Sequence, residues 1–301
     1  MATYEPYVCM QTNSTCYKQT RKMTPVGILW HSTGANNPWL SRYVQPTDGS
    51  ANYDKDIAKI GKNTNGNDWN HIDISAGLNA WIGKFADGTV GTVQTMPWDY
   101  RPWGCASGSN GSCNNGWIQF EICEDNLQDK EYAEKVYSEA VALTAYLCKE
   151  YKIKPDGFVR INGVDVPTIT CHNDAAKLGF ASDHADINHW FPKILGRSMA
   201  EVRRDVGMAM GEIESAKPTT SSTKPKKITE KTAKSSNLTA SSYTVRITAG
   251  ALNVRDGAGT NYPINTVIYK NEVYTIVEEK DGWGKLKSGA GWIALEYTVK
   301  K

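Results

Sequence analysis

The chain has 301 residues, 40% of them hydrophobic and 22% charged, with a formal net charge of +2. That length exceeds one small core and points to two domains, and the composition excludes a disordered chain. The nearly balanced charge gives no whole-protein argument for nucleic-acid binding, and no segment reads as a recognition helix or an RNA-binding signature.

The opening segment, Met1-Ala-Thr-Tyr-Glu-Pro-Tyr-Val-Cys9, has neither a basic n-region nor an apolar h-region, so no secretory signal is expected. No run approaches the roughly 18 apolar residues of a membrane span. The expectation is a protein made in the cytoplasm, without membrane insertion. Apolar runs at 26–30, 78–85, 90–93, 117–123 and 167–171 predict strands. Ala133, Val136, Tyr137, Ala140, Val141, Thr144, Leu147, Cys148 and Tyr151 recur at helical spacing and predict an amphipathic helix over 129–151. Ser198-Met-Ala-Glu201 is a capping-box pattern that opens a second helix through Val202, Val206, Met210 and Ile213. Strands interleaved with long helices predict an α/β domain over 1–213, a mixed central sheet covered by helices.

Residues 214–242 change the texture. They carry six Lys against two Glu among Thr, Ser and Pro, with almost no large apolar side chain, so they cannot bury enough surface to offset their ordering entropy. A flexible linker is expected there. From 243 to 301, short alternating segments at 244–248, 252–255, 266–269, 274–277, 284–287 and 291–294 are separated by Gly, Asn and Asp turns. These predict a small all-β barrel.

The seven cysteines, at positions 9, 16, 105, 113, 123, 148 and 171, all precede the linker and show no paired C-x-x-C spacing. Cys105 and Cys113 flank a Gly/Ser/Asn loop and could form a disulfide in an oxidising space. Free buried thiols are expected for most of the others.

All five histidines, His31, His71, His172, His184 and His189, also precede the linker. Val26-Gly-Ile-Leu-Trp-His31 reads as a buried strand with a ligand at its tip. His184 lies 12 residues beyond His172 and Asp186 lies 14 beyond it. His31, His172 and Asp186 would make a set of two imidazoles and one carboxylate, suited to zinc with the fourth position open for water. In the extended run His184-Ala-Asp186, His184 can face the same cavity. A lone histidine is more often a satisfied core or surface group. A strand-tip histidine matched to a histidine-rich segment far downstream favours the metal. Glu121, between Phe120 and Ile122 on a strand, is either an exposed edge acid or a desolvated general base. His71 and His189 fit no ligand position and are read as structural or near-site groups. The ten Trp and fifteen Tyr serve equally as core filler or as surfaces for stacking on sugar rings.

Taken together, these segments resemble the zinc-dependent N-acetylmuramoyl-L-alanine amidases of type 2, related to peptidoglycan recognition proteins and phage amidases. The resemblance covers residues 22–208. It rests on Gly27-Ile-Leu-Trp-His31-Ser-Thr, Ala86-Asp-Gly-Thr-Val-Gly-Thr-Val-Gln94, Asn114-Asn115 followed by Ile118-Gln-Phe-Glu121, and the spacing of His172 to His184-x-Asp186. It implies zinc on His31, His172 and Asp186, Glu121 as the acid that takes the water proton, and His184 as the group that steadies the polarised carbonyl. Trp103 is the expected sugar contact. The implied reaction cleaves the amide bond between N-acetylmuramic acid and L-alanine of the stem peptide.

The chain departs from many relatives at two places. Asn79 and Trp81 stand where they carry a histidine before the Asp-Gly-Thr strand, and Trp103-Gly104-Cys105 stands where they carry Trp-His. Residues 252–297 resemble bacterial SH3-like cell-wall modules, through Ala251-Leu-Asn-Val-Arg-Asp-Gly-Ala-Gly259, Asp281-Gly-Trp-Gly-Lys-Leu and Gly291-Trp-Ile. The implied partner is bacterial peptidoglycan, the expected state is a monomer, and the implied setting is a phage or prophage endolysin that reaches the wall from the host cytoplasm. The alternatives are a zinc peptidase acting on the stem peptide and a peptidoglycan-binding protein without catalysis.

Overall fold

The computed structural model describes residues 4–211, 242–249, 251–260, 262, 264–269, 272–287 and 290–300. The chain divides into two compact units, Met1–Glu212 and Ile213–Lys301. Apart from residue 242, the segment read as a linker lies outside the described residues. No helix among the described residues is long and apolar enough to cross a membrane.

The first unit is built on six strands: β1 (Tyr7–Val8), β2 (Gly27–Ser32), β3 (Ala80–Lys84), β4 (Val90–Gln94), β5 (Trp117–Ile122) and, past a hairpin, β8 (Ile169–Cys171). Their order across the sheet is β1-β4-β3-β5-β2-β8, parallel throughout except for the β3–β4 pair. Each predicted strand is present with its ends moved by a few residues. The hairpin, β6 (Phe158–Ile161) and β7 (Val164–Pro167), turns on Asn162 and Gly163, both at positive φ, between the paired Ile161 and Val164. That is the twist a two-residue hairpin loop prefers.

Strand alternation sorts the sheet into two faces. Ile28, Trp30, Ala80, Ile82, Ile118, Phe120 and Ile122 share one core with α3 (Lys130–Tyr151), through Ala133, Val136, Tyr137, Ala140 and Leu147. Asp129 caps α3 by accepting from the backbone of Tyr132, as its place at the head of the apolar periodicity requires. The Trp30 indole donates to Thr144 Oγ1 inside this core. The predicted capping box opens α6 (Met199–Met210), which packs on α3 and donates from Arg203 to the carbonyl of Ile169 at 2.8 Å. The other face of the sheet carries His31, Gln119, Glu121 and Trp81. Trp81 stacks on Tyr43 at 4.7 Å between ring centres and meets Trp69 edge-on at 4.8 Å.

Three shorter helices complete this unit: α1 (Thr15–Gln19), α2 (Tyr53–Ile60) and α4 (His172–Lys177), with a single turn, α5 (Phe191–Ile194), before α6. All seven cysteines are free and buried, Cys105 and Cys113 included, so the disulfide considered for that pair is not formed. The Cys105 thiol instead lies 3.1 Å from the Asn114 side-chain oxygen.

The second unit is a seven-stranded antiparallel sheet made of β9 (Tyr243–Ile247), β10 (Ala251–Arg255), β11 (Ile264–Tyr269), β12 (Val273–Lys280), β13 (Trp283–Leu286), β14 (Trp292–Ala294) and β15 (Thr298–Lys300). Val245, Ile247, Leu252, Val254, Ile276, Leu286 and Ile293 form its core, at the alternate positions the sequence pattern assigns inward. Asp281 and Gly282, both at positive φ, close the β12–β13 hairpin between Lys280 and Trp283.

Candidate metal centre and active site

Three parallel strands run side by side and end at the same edge, and each delivers one functional group there. Ligands in open α/β sheets bind outside the carboxyl ends of the strands for this reason. His31 is the penultimate residue of β2, Glu121 the penultimate residue of β5, and β8 runs straight into His172 at the first turn of α4. Asp186 comes from the loop after α4. That loop is pinned to the helix by the backbone N–H of Asn173, which donates to the Asp186 carbonyl at 2.9 Å. The amide of Asn188 also donates to Asn173 Oδ1 at 3.0 Å and to Asp174 Oδ1 at 2.8 Å.

His31, His172 and Asp186 are brought together and buried, with one possible ligand atom of each within 4.8 Å of the others. The two Nδ1 atoms face each other at 3.0 Å. Asp186 Oδ2 lies 3.3 Å from His31 Nδ1 and 3.5 Å from His172 Nδ1. The outer nitrogens are engaged elsewhere: His31 Nε2 with Gln119 Oε1 at 2.8 Å and His172 Nε2 with Ser182 Oγ at 3.2 Å. Burial pushes the His172 pKa down, and Asp186 and His31 act on it in opposite senses. Burial opposes the charge of Asp186, but its close contacts with the His172 and His31 imidazoles outweigh it and hold that carboxyl below its usual range. With their outer nitrogens bonded, the two imidazoles turn Nδ1 towards the same point as the Asp186 carboxylate. Three acceptors converging in a buried space suit a divalent cation, and two His nitrogens with one carboxylate suit zinc.

Glu121 is the register partner of His31, so both side chains leave the same face of the sheet. Its Oε2 is buried and has no hydrogen-bond partner, although part of the residue still reaches the surface. Burial raises its pKa well above the ordinary carboxylate range, and the charges of Asp186 and Glu124 add to the rise. His184 stands at the rim. Its imidazole stacks on His172 at 4.4 Å, its Nδ1 is 3.9 Å from Asp186 Oδ1, and its side chain is 59% exposed. Trp103 is half-buried and bridges Gly77 through the backbone. The next residue, Gly104, abuts Gln119 and His31.

Of the two histidines given no ligand role, His71 bonds Asp68 at 2.8 Å, and His189 pairs with the buried Glu124 at 2.9 Å. Ser32 Oγ also donates to Glu124, at 2.6 Å. Asn79 is a structural link, donating to the carbonyls of Pro97 and Tyr100 and accepting from the backbone of Gln119. Gln119 and Ser182 escaped the sequence reading. Gln119 had a usable signal, since it lies two residues before Glu121 on the same strand face. Ser182 had none, because a serine in a loop is unremarkable until the fold sets it against His172.

Solved structures similar to this chain include Staphylococcus aureus hydrolase AmiA in complex with its ligand, at 18% identity over 70% of this chain and 85% of that one, TM-score 0.43. PlyL is similar at 16% identity over 67% and 97% of the two chains, TM-score 0.41. A mutant endolysin from Bacillus subtilis is similar at 17% identity over 67% and 100%, TM-score 0.40. No curated protein matches the sequence. Residues 250–299 match the bacterial SH3 domain. Residues 21–189, more than half the chain, match the N-acetylmuramoyl-L-alanine amidase family, and the chain belongs to that family.

Proposed function

We propose that the chain is a zinc-dependent amidase that cleaves peptidoglycan between N-acetylmuramic acid and L-alanine, with zinc on His31, His172 and Asp186. The observation that carries this reading is the convergence of both Nδ1 atoms and Asp186 Oδ2 beside an unpartnered, buried Glu121 oxygen. Zinc held there would lower the pKa of water towards neutrality and polarise a carbonyl. Glu121 Oε2, free of partners and raised in pKa, is suited to take the proton from the attacking water and return it to the departing amine. His184, steadied by stacking on His172, is suited to donate to the oxygen that gains charge, a contribution of about 3–4 kcal/mol for donors of this kind. Trp103 is proposed to contact sugar.

A complete donor set with an acid beside it favours catalysis over binding alone. The bacterial SH3 domain is read as the element that holds the enzyme on the wall, and the pairing of the two domains suits a phage or prophage endolysin acting on peptidoglycan. Mass spectrometry of defined muropeptides digested with the purified chain tests the reaction. The expected products are a free lactyl carboxyl on muramic acid and a free amino terminus on L-alanine. Cleavage only within the stem peptide, or no cleavage, would reject it.

A further inference from the structure

The proton position on His31 is dictated from outside the metal cluster. Asn114 Oδ1 accepts from the backbone N–H of Gly104 at 3.2 Å and of Cys105 at 3.1 Å. A main-chain N–H can only donate, so the Asn114 atom facing both must be its amide oxygen. The Gln119 atom 2.9 Å from that oxygen is therefore its NH₂ group, which leaves Oε1 as the atom facing His31 Nε2 at 2.8 Å. An amide oxygen only accepts, so the imidazole carries a proton on Nε2, which leaves Nδ1, the atom facing His172 and Asp186, as the one available to hold a metal. Gly104 makes the room. A Cβ at that position would lie 2.4 Å from Gln119 Oε1, 2.5 Å from Leu78 Cδ2 and 3.2 Å from His31 Nε2.

We propose that Gln119, locked in orientation by Asn114 and accommodated by Gly104, is a positioning residue that holds His31 in its Nε2–H tautomer and thereby sets the affinity of the His31–His172–Asp186 site for zinc. Histidine ligands usually give their outer N–H to a carboxylate, carbonyl or water, and loss of such a partner costs about 10–100-fold in metal affinity. Here the partner is a side-chain amide whose own orientation is set by two backbone donors. The inference rests on the zinc reading of the cluster.

The test uses the full chain and two readouts besides activity: zinc affinity by competition with a chromophoric chelator, and the tautomer of His31 from ring-nitrogen NMR shifts of the metal-free protein. Gln119→Met keeps length and volume but cannot accept. It is expected to weaken zinc binding about 10–100-fold and to lose the single Nε2–H pattern of His31. Should Gln119→Met fail to fold, Gly104→Ala displaces Oε1 and is expected to give the same two losses. Wild-type affinity in the folded variant, or weakened affinity with an unchanged tautomer, would overturn the proposal. A wild-type chain that binds no zinc would overturn the metal reading instead, and the tautomer of the metal-free protein keeps the two failures apart.

Discussion

His31 and Glu121 are register partners on the neighbouring parallel strands β2 and β5, one with its Nδ1 in the buried cluster and the other with a buried carboxylate oxygen that bonds nothing. Parallel pairing puts both side chains on one face, and the strands end at the same edge of the sheet. This pairing is the basis for separating metal binding from proton transfer by mutation.

Removing a ligand should remove the metal. His31→Ala and His172→Ala are expected to lose zinc and amidase activity together, and chelation of the wild type should abolish activity that added zinc restores. Metal content by atomic emission beside release of L-alanine amino termini checks this. A zinc-free preparation with full activity would reject the assignment.

Glu121→Gln should separate the two functions. The amide is nearly isosteric and cannot take a proton, so zinc content and melting should be retained while kcat falls by about 10²–10⁴. Steady-state kinetics on a defined muropeptide, with zinc stoichiometry measured on the same sample, decides it. Wild-type kcat would make Glu121 a structural acid.

His189 gives a pH-dependent term in stability. The hydrogen bond to Glu124 raises its pKa above the ordinary value, and burial opposes this less strongly. A folded pKa above the unfolded value of about 6.5 means that the stabilisation is complete below about pH 6.5 and is lost as pH rises through the folded value. The melting-temperature difference between wild type and His189→Gln should therefore be larger at about pH 5.5 than at about pH 9. An equal difference at both would show that the imidazole contributes by packing alone.

Gly27→Ala tests how tightly β2 is seated. A Cβ there would approach Trp117 Nε1 to 2.2 Å and the Thr168 carbonyl oxygen to 2.5 Å, and backbone cannot yield as a flexible side chain can. Overpacking of this kind costs about 1–3 kcal/mol, readable from the midpoint of urea unfolding. Unchanged stability would mean that β2 and β8 can separate without loss.

Division of labour between the two units predicts a substrate-dependent penalty. Residues 1–213 should cleave soluble muropeptides as the full chain does, but act more weakly on whole sacculi, since linking a wall-binding unit to the enzyme raises its local concentration at the wall to about the millimolar range. Turnover on both substrates, together with a sacculus pull-down of residues 243–301, checks the idea. Equal penalties on both substrates would assign the second unit a structural role.

Much of the fold was legible because burial imposes a period on sequence. The apolar run Val26 to Trp30 and the alternation in Ile118-Gln-Phe120 mark strands, the helical spacing of Ala133 to Leu147 marks α3, and Ser198 with Glu201 marks the start of α6. The cluster of His31, His172 and Asp186 was legible for a different reason: histidines are few, and strand ends and one short segment concentrate them. The β6–β7 hairpin was missed even though Asn162-Gly163 is a strong turn signal, because no residue from Phe158 to Asp165 is buried and the hairpin stands apart from the central sheet.

What only the tertiary structure decided is the support behind the clustered histidines. Gln119 becomes the partner of His31 because β5 lies against β2 and because a glycine at 104 leaves the space between them. Ser182 meets His172 because its backbone N–H bonds the Cys105 carbonyl, 77 positions away in the chain. Local sequence sets which face a side chain leaves. Which acceptor waits for the second nitrogen of an imidazole is set by segments distant in the chain, and no period or motif encodes it.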